Sequence, residues 1–235
     1  MAKNEVLSPQ LITNSQMVYL VWEAADRDAL QAYAPEGYRI SDQGTVYMNQ
    51  YWVTDQNQHS NGAHPNGWGA YSLTYLGIEL ADHDLFDGTP CRWWTHYYNS
   101  SENMRKYASD RGIPTGTGRT HLDISDTACE AVTYIDEKPV IRSKMTFKNE
   151  LSPVVSGQLL YLTRSTKGQL EKGRYPFVGN VMQGYECQSV EFLDPSSPFY
   201  DLRPKDPLNV TFGFYSPNLS FVYPGGQQGH EDAPF

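Results

Sequence analysis

Phenols and other aromatic groups are the side chains of this sequence best suited to binding or chemistry. Its 235 residues include 17 tyrosines, 9 phenylalanines and 5 tryptophans. Tyrosine joins an apolar ring to a hydroxyl group, so strands rich in tyrosine can line a pocket that is apolar and still forms hydrogen bonds. The same residues also serve simply as core residues of a β protein. The composition therefore predicts an aromatic interior and leaves its use, packing or ligand binding, open.

Nucleotide binding and covalent catalysis are not supported by the motifs. Segment 112–120, GIPTGTGRT, has the glycines of a phosphate-binding loop, but Ile113 stands where a glycine is required and Arg119 where a lysine is required. No GxGxxG occurs, no GxSxG marks a serine nucleophile, and no cysteine lies in a nucleophile signature. We therefore expect no nucleotide cofactor and no acyl-enzyme chemistry.

Metal sites are not supported by the spacing of potential ligands either. The three aspartates between positions 82 and 87 place the third carboxylate one position too late for a calcium loop. Two pairs, Glu79 with His83 and His59 with His64, could each bind a metal but lack a third ligand at a recognisable spacing. We therefore expect neither a metal nor any other cofactor.

Charge and cysteine content exclude several classes of partner. The net charge is −9 and no cluster of lysine and arginine is present, so nucleic acid is a disfavoured partner. No apolar run reaches the roughly 18–20 residues of a membrane-spanning helix, and the N-terminal segment lacks a signal-peptide pattern. The three cysteines, Cys91, Cys129 and Cys187, are odd in number and far apart. We expect a cytoplasmic protein with free thiols, no membrane association and no disulfide framework.

A single β-rich domain over residues 15–224, between tails at 1–14 and 225–235, is the predicted organisation. Alternating patterns with β-branched and aromatic residues, separated by Gly, Asn and Pro, indicate strands. These strands are predicted at 17–22, 45–54, 70–80, 91–98, 128–135, 140–147, 158–162, 178–193, 208–215 and 221–223. Helices are predicted within 23–35 and from Ser100 or Ser101 to before Gly112. Ten predicted strands with two helices indicate a barrel-like fold of antiparallel hairpins that can hold one small ligand.

Several short stretches, taken in order, resemble the acetoacetate decarboxylase-like superfamily. They are VYLVW at 18–22, ADRDAL at 25–30, GIPTG at 112–116, DPL at 206–208 and FVYP at 221–224. The similarity extends from about residue 15 to residue 224. It implies an α+β, mainly β fold, a cone-shaped antiparallel β-barrel with a few short helices, whose buried pocket binds a small keto acid.

The resemblance also implies that this chain lacks the chemistry of a true decarboxylase. In the family, a lysine directly after the Gly-x-Pro turn forms a Schiff base with the ketone, and a second lysine beside it lowers its pKa. The corresponding positions here are Thr115 and Gly116, which cannot form an imine. The nearest lysines, Lys106 and Lys138, lie outside the motif. We therefore expect no Schiff base.

Other positions implied by the resemblance differ as well. The arginine that receives the substrate carboxylate corresponds to Glu23, and the two pocket carboxylates of the family correspond to Asn49 and Leu73. Glutamate in place of arginine reverses the charge that an incoming carboxylate would meet. The resemblance with these substitutions implies a substrate that is neutral or cationic at that end.

Strand parity extends the candidate pocket from these positions, because alternate residues of a strand share a face. If Asn49 and Leu73 face inward, the inward residues of the second and third strands are Tyr47, Asn49, Tyr51, Tyr71, Leu73 and Tyr75. On the fourth strand, one face carries Trp94, His96 and Tyr98, and the other carries Trp93, Thr95 and Tyr97. The sequence leaves open which of these two faces lines the pocket.

The resemblance and these strand faces together define a candidate site. We predict Glu23 and His96 as the groups that move or stabilise a proton. Substrate contacts are predicted from Tyr47, Asn49, Tyr71, Leu73, Trp94, Ile113 and Thr115. A simpler role for Glu23 is to support the N-terminus of the helix that follows it, where a carboxylate is favourable.

The function expected of such a site is that of a cofactor-independent lyase or isomerase. The enzyme would cyclise, dehydrate or isomerise a small, largely apolar molecule, for example a natural-product intermediate, without forming a Schiff base. Two alternatives remain: a non-catalytic protein of the same fold that binds a small ligand, and a decarboxylase with relocated catalytic residues. The sequence leaves the oligomeric state, monomer or homo-oligomer, open.

Overall fold

The fold is that of a computed structural model, which describes residues 10–54, 69–85, 87–110, 112–164, 169–223 and 227–230. The strands are β1 (Gln10–Glu23), β2 (Thr45–Val53), β3 (Tyr71–Glu79), β4 (Cys91–Asn99), β5 (Thr115–Thr117), β6 (Arg119–Ile124), β7 (Ala128–Ile135), β8 (Lys138–Thr146), β9 (Val155–Arg164), β10 (Leu170–Gly179), β11 (Glu186–Phe192), β12 (Val210–Tyr223) and β13 (Gln227–His230). The α-helices are α1 (Arg27–Leu30) and α2 (Glu102–Ser109), and 3₁₀ turns cover Gln31–Tyr33 and Tyr200–Leu202.

Seven of these strands close into a barrel. Their order is β12-β1-β2-β3-β4-β9-β10, and pairing of Phe177 with Phe221 and of Val178 with Ser220 joins β10 back to β12. The pairs are antiparallel except at one seam, where β4 and β9 run parallel. Strand β5 adds to β4 and β13 to β10. This mainly β barrel with short helices confirms the predicted fold class.

A second sheet packs against the outside of the barrel. Its order is β11-β8-β7-β6, and all of its pairs are antiparallel. Leu20 and Leu76 of the barrel wall share one apolar cluster with Ile141 and Met145 of the second sheet. Because the sheet covers the outer face of these strands and the barrel core covers the inner face, β2 and β3 are buried on both sides.

A polar network is buried between the barrel and the second sheet. The Gln50 side chain donates to Thr133 Oγ1 at 2.8 Å and accepts from Ser143 Oγ at 2.6 Å. Thr74 Oγ1 lies 2.6 Å from both Thr133 Oγ1 and Thr120 Oγ1. Because every member of this network has a partner, its burial fixes how the two sheets dock rather than destabilising the interface.

Helix α2 closes one end of the barrel interior. Ser101 caps it by accepting a hydrogen bond from the Met104 backbone, as predicted for a serine at this position. Met104 and Tyr107 of the helix, together with Ile113 after it, belong to the apolar cluster that fills the barrel. The other helix, α1, begins at Arg27 with Asp26 as its cap and continues as a 3₁₀ turn to Tyr33, so it lies within the predicted segment 23–35, whose first residue still belongs to β1.

Several predicted strand boundaries are corrected by the structure. The predicted strand 178–193 is two elements, the end of β10 and all of β11, separated at Gly184, whose φ is +61°. The predicted strands 208–215 and 221–223 are parts of the single strand β12. Pro217 lies within β12 at a register irregularity opposite β1, where the missing N–H breaks no ladder bond.

Pairing also involves segments that were predicted as tails or left unassigned. β1 begins at Gln10, within the predicted N-terminal tail, and pairs with β12. β13 lies within the predicted C-terminal tail and pairs with β10. The short strands β5 and β6 were absent from the prediction. β5 pairs with β4 and β6 pairs with β7, in segments where the sequence pattern did not indicate strands.

The three cysteines are free thiols, and two of them are buried. Burial raises the pKa of Cys91 and of Cys129 to about 12, so both thiols stay protonated at neutral pH. Within the described ranges, both α-helices are far too short to cross a bilayer.

Candidate functional site

A cavity of about 540 Å³ lies inside the barrel, bounded by strands β1–β4, β9, β10 and β12 and open to solvent on one side. This volume lies within the range of about 300–1,000 Å³ found for small-molecule sites. Most of the wall consists of aromatic rings and aliphatic side chains, including Trp94, Tyr161, Tyr175 and Phe177. Among the described residues that line it, two are charged, Glu79 and Arg92.

Glu79 and Arg92 form a buried ion pair inside the barrel. They are register partners on β3 and β4, and Arg92 Nη2 donates to Glu79 Oε1 at 2.9 Å. Their side chains are 13% and 7% exposed. Burial lowers the pKa of Arg92, but interactions with the nearby phenols and with Glu79 outweigh it and leave the pKa above its usual value. The cavity therefore holds a permanent guanidinium cation beside one carboxylate.

Tyrosine rings hold the guanidinium in place. Its central carbon lies 5.6 Å from the ring centre of Tyr19 and 5.4 Å from that of Tyr47, within cation–π range. Gly77 makes room for Tyr47, because a Cβ at Gly77 would stand 2.2 Å from the Tyr47 hydroxyl. Arg92 Nε is buried without a hydrogen-bond partner. The cation is thus fixed in position while part of its donor capacity is unused.

A second polar group in the cavity is a short chain of amide and phenol groups. Asn49 Nδ2 donates to Tyr75 Oη at 3.0 Å, and Tyr75 Oη lies 2.9 Å from Tyr161 Oη. Burial raises the pKa of both phenols, so they remain neutral at physiological pH. Asn49 Oδ1 is buried and has no partner. Trp94 stacks on Tyr161 with ring centres 4.3 Å apart, and forms an apolar wall beside this chain.

A β-bulge in β4 decides which of its residues face the cavity. Pairing shifts between Leu76–His96 and Gly77–Trp94, which leaves Thr95 as an extra residue. Arg92 and Trp94 therefore face inward before the bulge, whereas Trp94 and His96 no longer share a face. Simple alternation predicted that they do, and that prediction is wrong for this reason.

His96 consequently lies outside the cavity, among apolar residues behind the barrel wall. Its ring is 5.6 Å from that of Phe199 and 5.8 Å from that of Tyr33, and Nδ1 lies 3.1 Å from Thr95 Oγ1. Burial lowers the pKa of His96 to about 4, so the imidazole is neutral at physiological pH. The expectation that His96 acts on a ligand in the pocket is corrected by this placement.

Glu23 also lies outside the residues that line the cavity. It ends β1, where its carboxylate accepts hydrogen bonds from Lys205 Nζ and, at 2.8 Å, from Asn209 Nδ2. The bond from Lys205 is the main reason that the pKa of Glu23 is lowered. Glu23 is therefore an ion-paired carboxylate at the edge of the barrel, rather than the acid/base group expected in the pocket.

The remaining predicted contacts are divided between the cavity and the closed end of the barrel. Asn49 and Trp94 line the cavity. The Tyr47 ring packs against the Arg92 guanidinium. Tyr71, Leu73 and Ile113 are buried in the core near α2. All four of these residues lie outside the lining.

Thr115 is separated from the cavity as well. It is half-buried on β5, where its register partner is Tyr97. Tyr97 stacks against Tyr75, with ring centres 6.5 Å apart, and only Tyr75 of the two lines the cavity. Position 115, where the family carries its reactive amine, thus adjoins packed aromatic core.

Glu79 and Arg92 were the residues missed by sequence reasoning. A signal was present, because Glu79 has the inward parity of Tyr75 and is the one charged residue of β3. Its spacing relative to His83 indicates a metal ligand, but Glu79 pairs with Arg92, and His83 packs on Tyr38 with ring centres 4.7 Å apart. In the described part of the chain, no group of three or more potential metal ligands occurs. His59 and His64 lie outside the described residues.

The closed barrel with a second sheet packed on its side defines a class of fold that solved structures share. No family model and no curated protein matches this chain. An acetoacetate decarboxylase structure matches with a TM-score of 0.65 at 15% identity, over 94% of this chain and 89% of the other. The acetoacetate decarboxylase of Legionella pneumophila matches with a TM-score of 0.64 at 13% identity, over 94% and 86%.

The enduracididine biosynthesis enzyme MppR, complexed with pyruvate, also matches. Its TM-score is 0.61 at 11% identity, over 94% of this chain and 90% of that one. This chain therefore has the acetoacetate decarboxylase-like fold, and the resemblance seen in its sequence is confirmed at the level of the fold.

Proposed function

We propose that this protein is a lyase- or isomerase-type enzyme that moves a proton next to a carbonyl group of a small, largely apolar molecule. Proton transfer of this kind is a step shared by isomerisation, dehydration and carbon–carbon cyclisation of carbonyl compounds. The reaction takes place inside the barrel and requires neither a cofactor nor a Schiff base. A natural-product intermediate is a fitting substrate, since MppR, of the same fold, belongs to enduracididine biosynthesis.

The observation that carries this proposal is the buried pair of Glu79 and Arg92 in the wall of an aromatic cavity. N–H groups of Arg92 can hold the carbonyl oxygen of a bound ligand. Glu79 can take a proton from the adjacent carbon, the C–H electron pair then forms the C=C bond of an enolate, and the negative charge develops on the oxygen held by Arg92. A fixed cation at that position stabilises the charge as it forms.

Imine chemistry has no support from the lining of the cavity. None of the described residues that line it is a lysine. Lys106 pairs with Asp110 on the exposed surface of α2, and Lys138 is exposed at the start of β8. Borohydride reduction in the presence of acetoacetate or pyruvate should therefore leave the mass of the protein unchanged. A reduced adduct on either lysine would restore the relocated decarboxylase as the better hypothesis.

Hydrogen exchange tests the proposed proton transfer without knowledge of the natural substrate. Benzylacetone, a neutral ketone with an aromatic ring, is incubated with the protein in D₂O, and loss of the protons beside its carbonyl is followed by NMR. We expect exchange above the buffer rate. Glu79→Gln should reduce the protein-dependent rate by about 10²–10⁴-fold, as for other general bases.

Glu23→Gln is the matched control, because it neutralises another ion-paired carboxylate of the same barrel outside the cavity. Its exchange rate should stay within about threefold of wild type, since it removes no group that touches the ligand. Circular dichroism would establish that both variants are folded. Saturable binding of benzylacetone without any protein-dependent exchange would instead favour the non-catalytic ligand-binding protein, because the charge of Glu79 is already engaged by Arg92.

A further inference from the structure

We propose that the ligand of this cavity is electrically neutral at the end that meets Arg92: a ketone, aldehyde or ester with an aromatic or conjugated body, and not a keto acid. This inference deepens the proposed function, since it concerns the same site, and it rests on that function in one respect: Arg92 holds the carbonyl oxygen.

The charge balance of the cavity supports a neutral ligand. One cation and one anion line its described wall, and they are bonded to each other at 2.9 Å. A carboxylate brought to Arg92 would also approach Glu79, with little water to screen the repulsion. Like charges placed together in a desolvated site are strongly unfavourable. Arg92 therefore donates hydrogen bonds to a neutral oxygen and does not serve as a binding site for an anion.

Unused hydrogen-bonding groups show what the polar end of the ligand must offer. Arg92 Nε is a buried donor without a partner, and Asn49 Oδ1 is a buried acceptor without a partner. Arg92 and Asn49 are only 6% and 3% exposed. An unpaired polar group at such depth is costly unless a ligand or water completes it. A carbonyl oxygen matches the donor, and a hydroxyl or enol group elsewhere on the ligand matches the acceptor.

The rest of the wall indicates an aromatic or conjugated body. Trp94 and Tyr161 present stacked rings, and Tyr175 stands edge-on to Trp94 with ring centres 5.4 Å apart. Phe177 and Phe221, which are register partners on β10 and β12, add two further rings. Flat apolar groups pack well against such rings, in stacked or edge-to-face arrangements.

Two probes that differ only in charge at the polar end test this inference. Benzylacetone and benzylpyruvate share the phenylethyl ketone skeleton, but the first ends in a methyl group and the second in a carboxylate. Calorimetric titration of the wild-type protein at neutral pH should show benzylacetone binding at least about tenfold more tightly. This comparison uses only the wild-type protein. It therefore tests the inference even if variants with substitutions in the cavity fail to fold.

Glu79→Gln should shift the preference toward the acid. It removes the competing negative charge and leaves Arg92 unbalanced, so the affinity for benzylpyruvate relative to that for benzylacetone should rise about tenfold or more. Glu23→Gln, which alters a carboxylate outside the cavity, should leave the ratio of the two affinities at the wild-type value.

Tighter or equal binding of benzylpyruvate by the wild-type protein would overturn the inference, and so would failure of both probes to bind. The proposed function is judged separately by hydrogen exchange. If the acid binds as tightly as the ketone but Glu79-dependent exchange is observed, the charge inference fails alone. If the ketone is preferred but no exchange occurs, the proton transfer fails and the ligand class stands.

Discussion

Asn49 and Gln50 are neighbours on β2, yet their side-chain amides lie in opposite environments. Gln50 faces the second sheet, where its amide donates to Thr133 and accepts from Ser143. Asn49 faces the cavity, where its amide donates to Tyr75 but its oxygen is buried without a partner. The amide on the outer face of this barrel wall is thus fully hydrogen-bonded, whereas the amide on the inner face is not.

This difference distinguishes polar groups that stabilise the packing of the two sheets from polar groups that a ligand could pair with. On the outer face, the buried hydroxyl and amide groups of the network are completed by other protein groups, which is the pattern of a network that fixes a unique packing. On the inner face, Arg92 and Asn49, two residues that line the cavity, keep unused hydrogen-bonding capacity. Incomplete pairing next to a cavity is what a ligand would complete, and this makes the inner face the candidate site.

The largest expected effect comes from breaking the charge pair of the inner face. Arg92→Met leaves the Glu79 carboxylate buried without its cation, which should lower the free energy of unfolding by about 3–5 kcal/mol in urea denaturation. The double variant Arg92→Met with Glu79→Met removes both charges and should recover most of that loss. Equal stability of the single variant and wild type would mean that water in the cavity solvates Glu79 well, and that the inner face is wetter than its aromatic walls indicate.

A smaller effect concerns His96, a predicted site residue that lies partly buried behind the wall. The pKa of His96 is about 4 in the folded protein and 6.5 in the unfolded chain. Between these values the unfolded chain binds a proton that the folded protein does not, so stability is complete above about pH 6.5 and falls toward pH 4.

The loss attributable to His96 over this range should be about 2–3 kcal/mol. Subtracting the pH profile of His96→Leu from that of wild type isolates it from the carboxylates that titrate below about pH 5. Benzylacetone affinity at neutral pH should be the same in both proteins, because His96 does not line the cavity. A change in affinity with no change in the pH profile would return His96 to the site.

Local strand patterns predicted a barrel-like β fold, the resemblance to a known family implied the particular barrel, and strand parity extended the pocket from the positions that the resemblance implied. Parity on β2 and β3 correctly placed Tyr47, Asn49 and Tyr75 inside the barrel, since both strands pair without interruption. It failed on β4, where the bulge at Thr95 reverses the faces and is not encoded by any obvious glycine or proline.

Long-range pairing explains the other errors. Glu23 looked available for catalysis because its partner, Lys205, lies 182 residues away in the chain. Arg92 was overlooked because a charged residue in a strand is ordinarily exposed, and its burial depends on Glu79 from the neighbouring strand. Neither the composition nor the spacing of the residues identifies partners that belong to other strands or lie far away in the chain.

The smallest expected effect is also the sharpest test of the difference between the two faces of β2. Gln50→Leu should lower the free energy of unfolding by about 1–3 kcal/mol, because it removes the acceptor of the buried Ser143 hydroxyl and one of the two partners of the Thr133 hydroxyl. Asn49→Leu should change stability by less than about 1 kcal/mol, since it removes an oxygen that bonds to nothing and leaves Tyr75 paired with Tyr161. Ligand binding should respond in the opposite order: affinity for 4-(4-hydroxyphenyl)butan-2-one, the analogue of benzylacetone that carries a hydroxyl group, should be reduced in Asn49→Leu and unchanged in Gln50→Leu. Urea denaturation and calorimetric titration of the two variants together measure both quantities. If Asn49→Leu proved the more destabilising and left affinity intact, the inner amide would be a structural group like its neighbour, and the unpaired atoms of the cavity would lose their functional meaning.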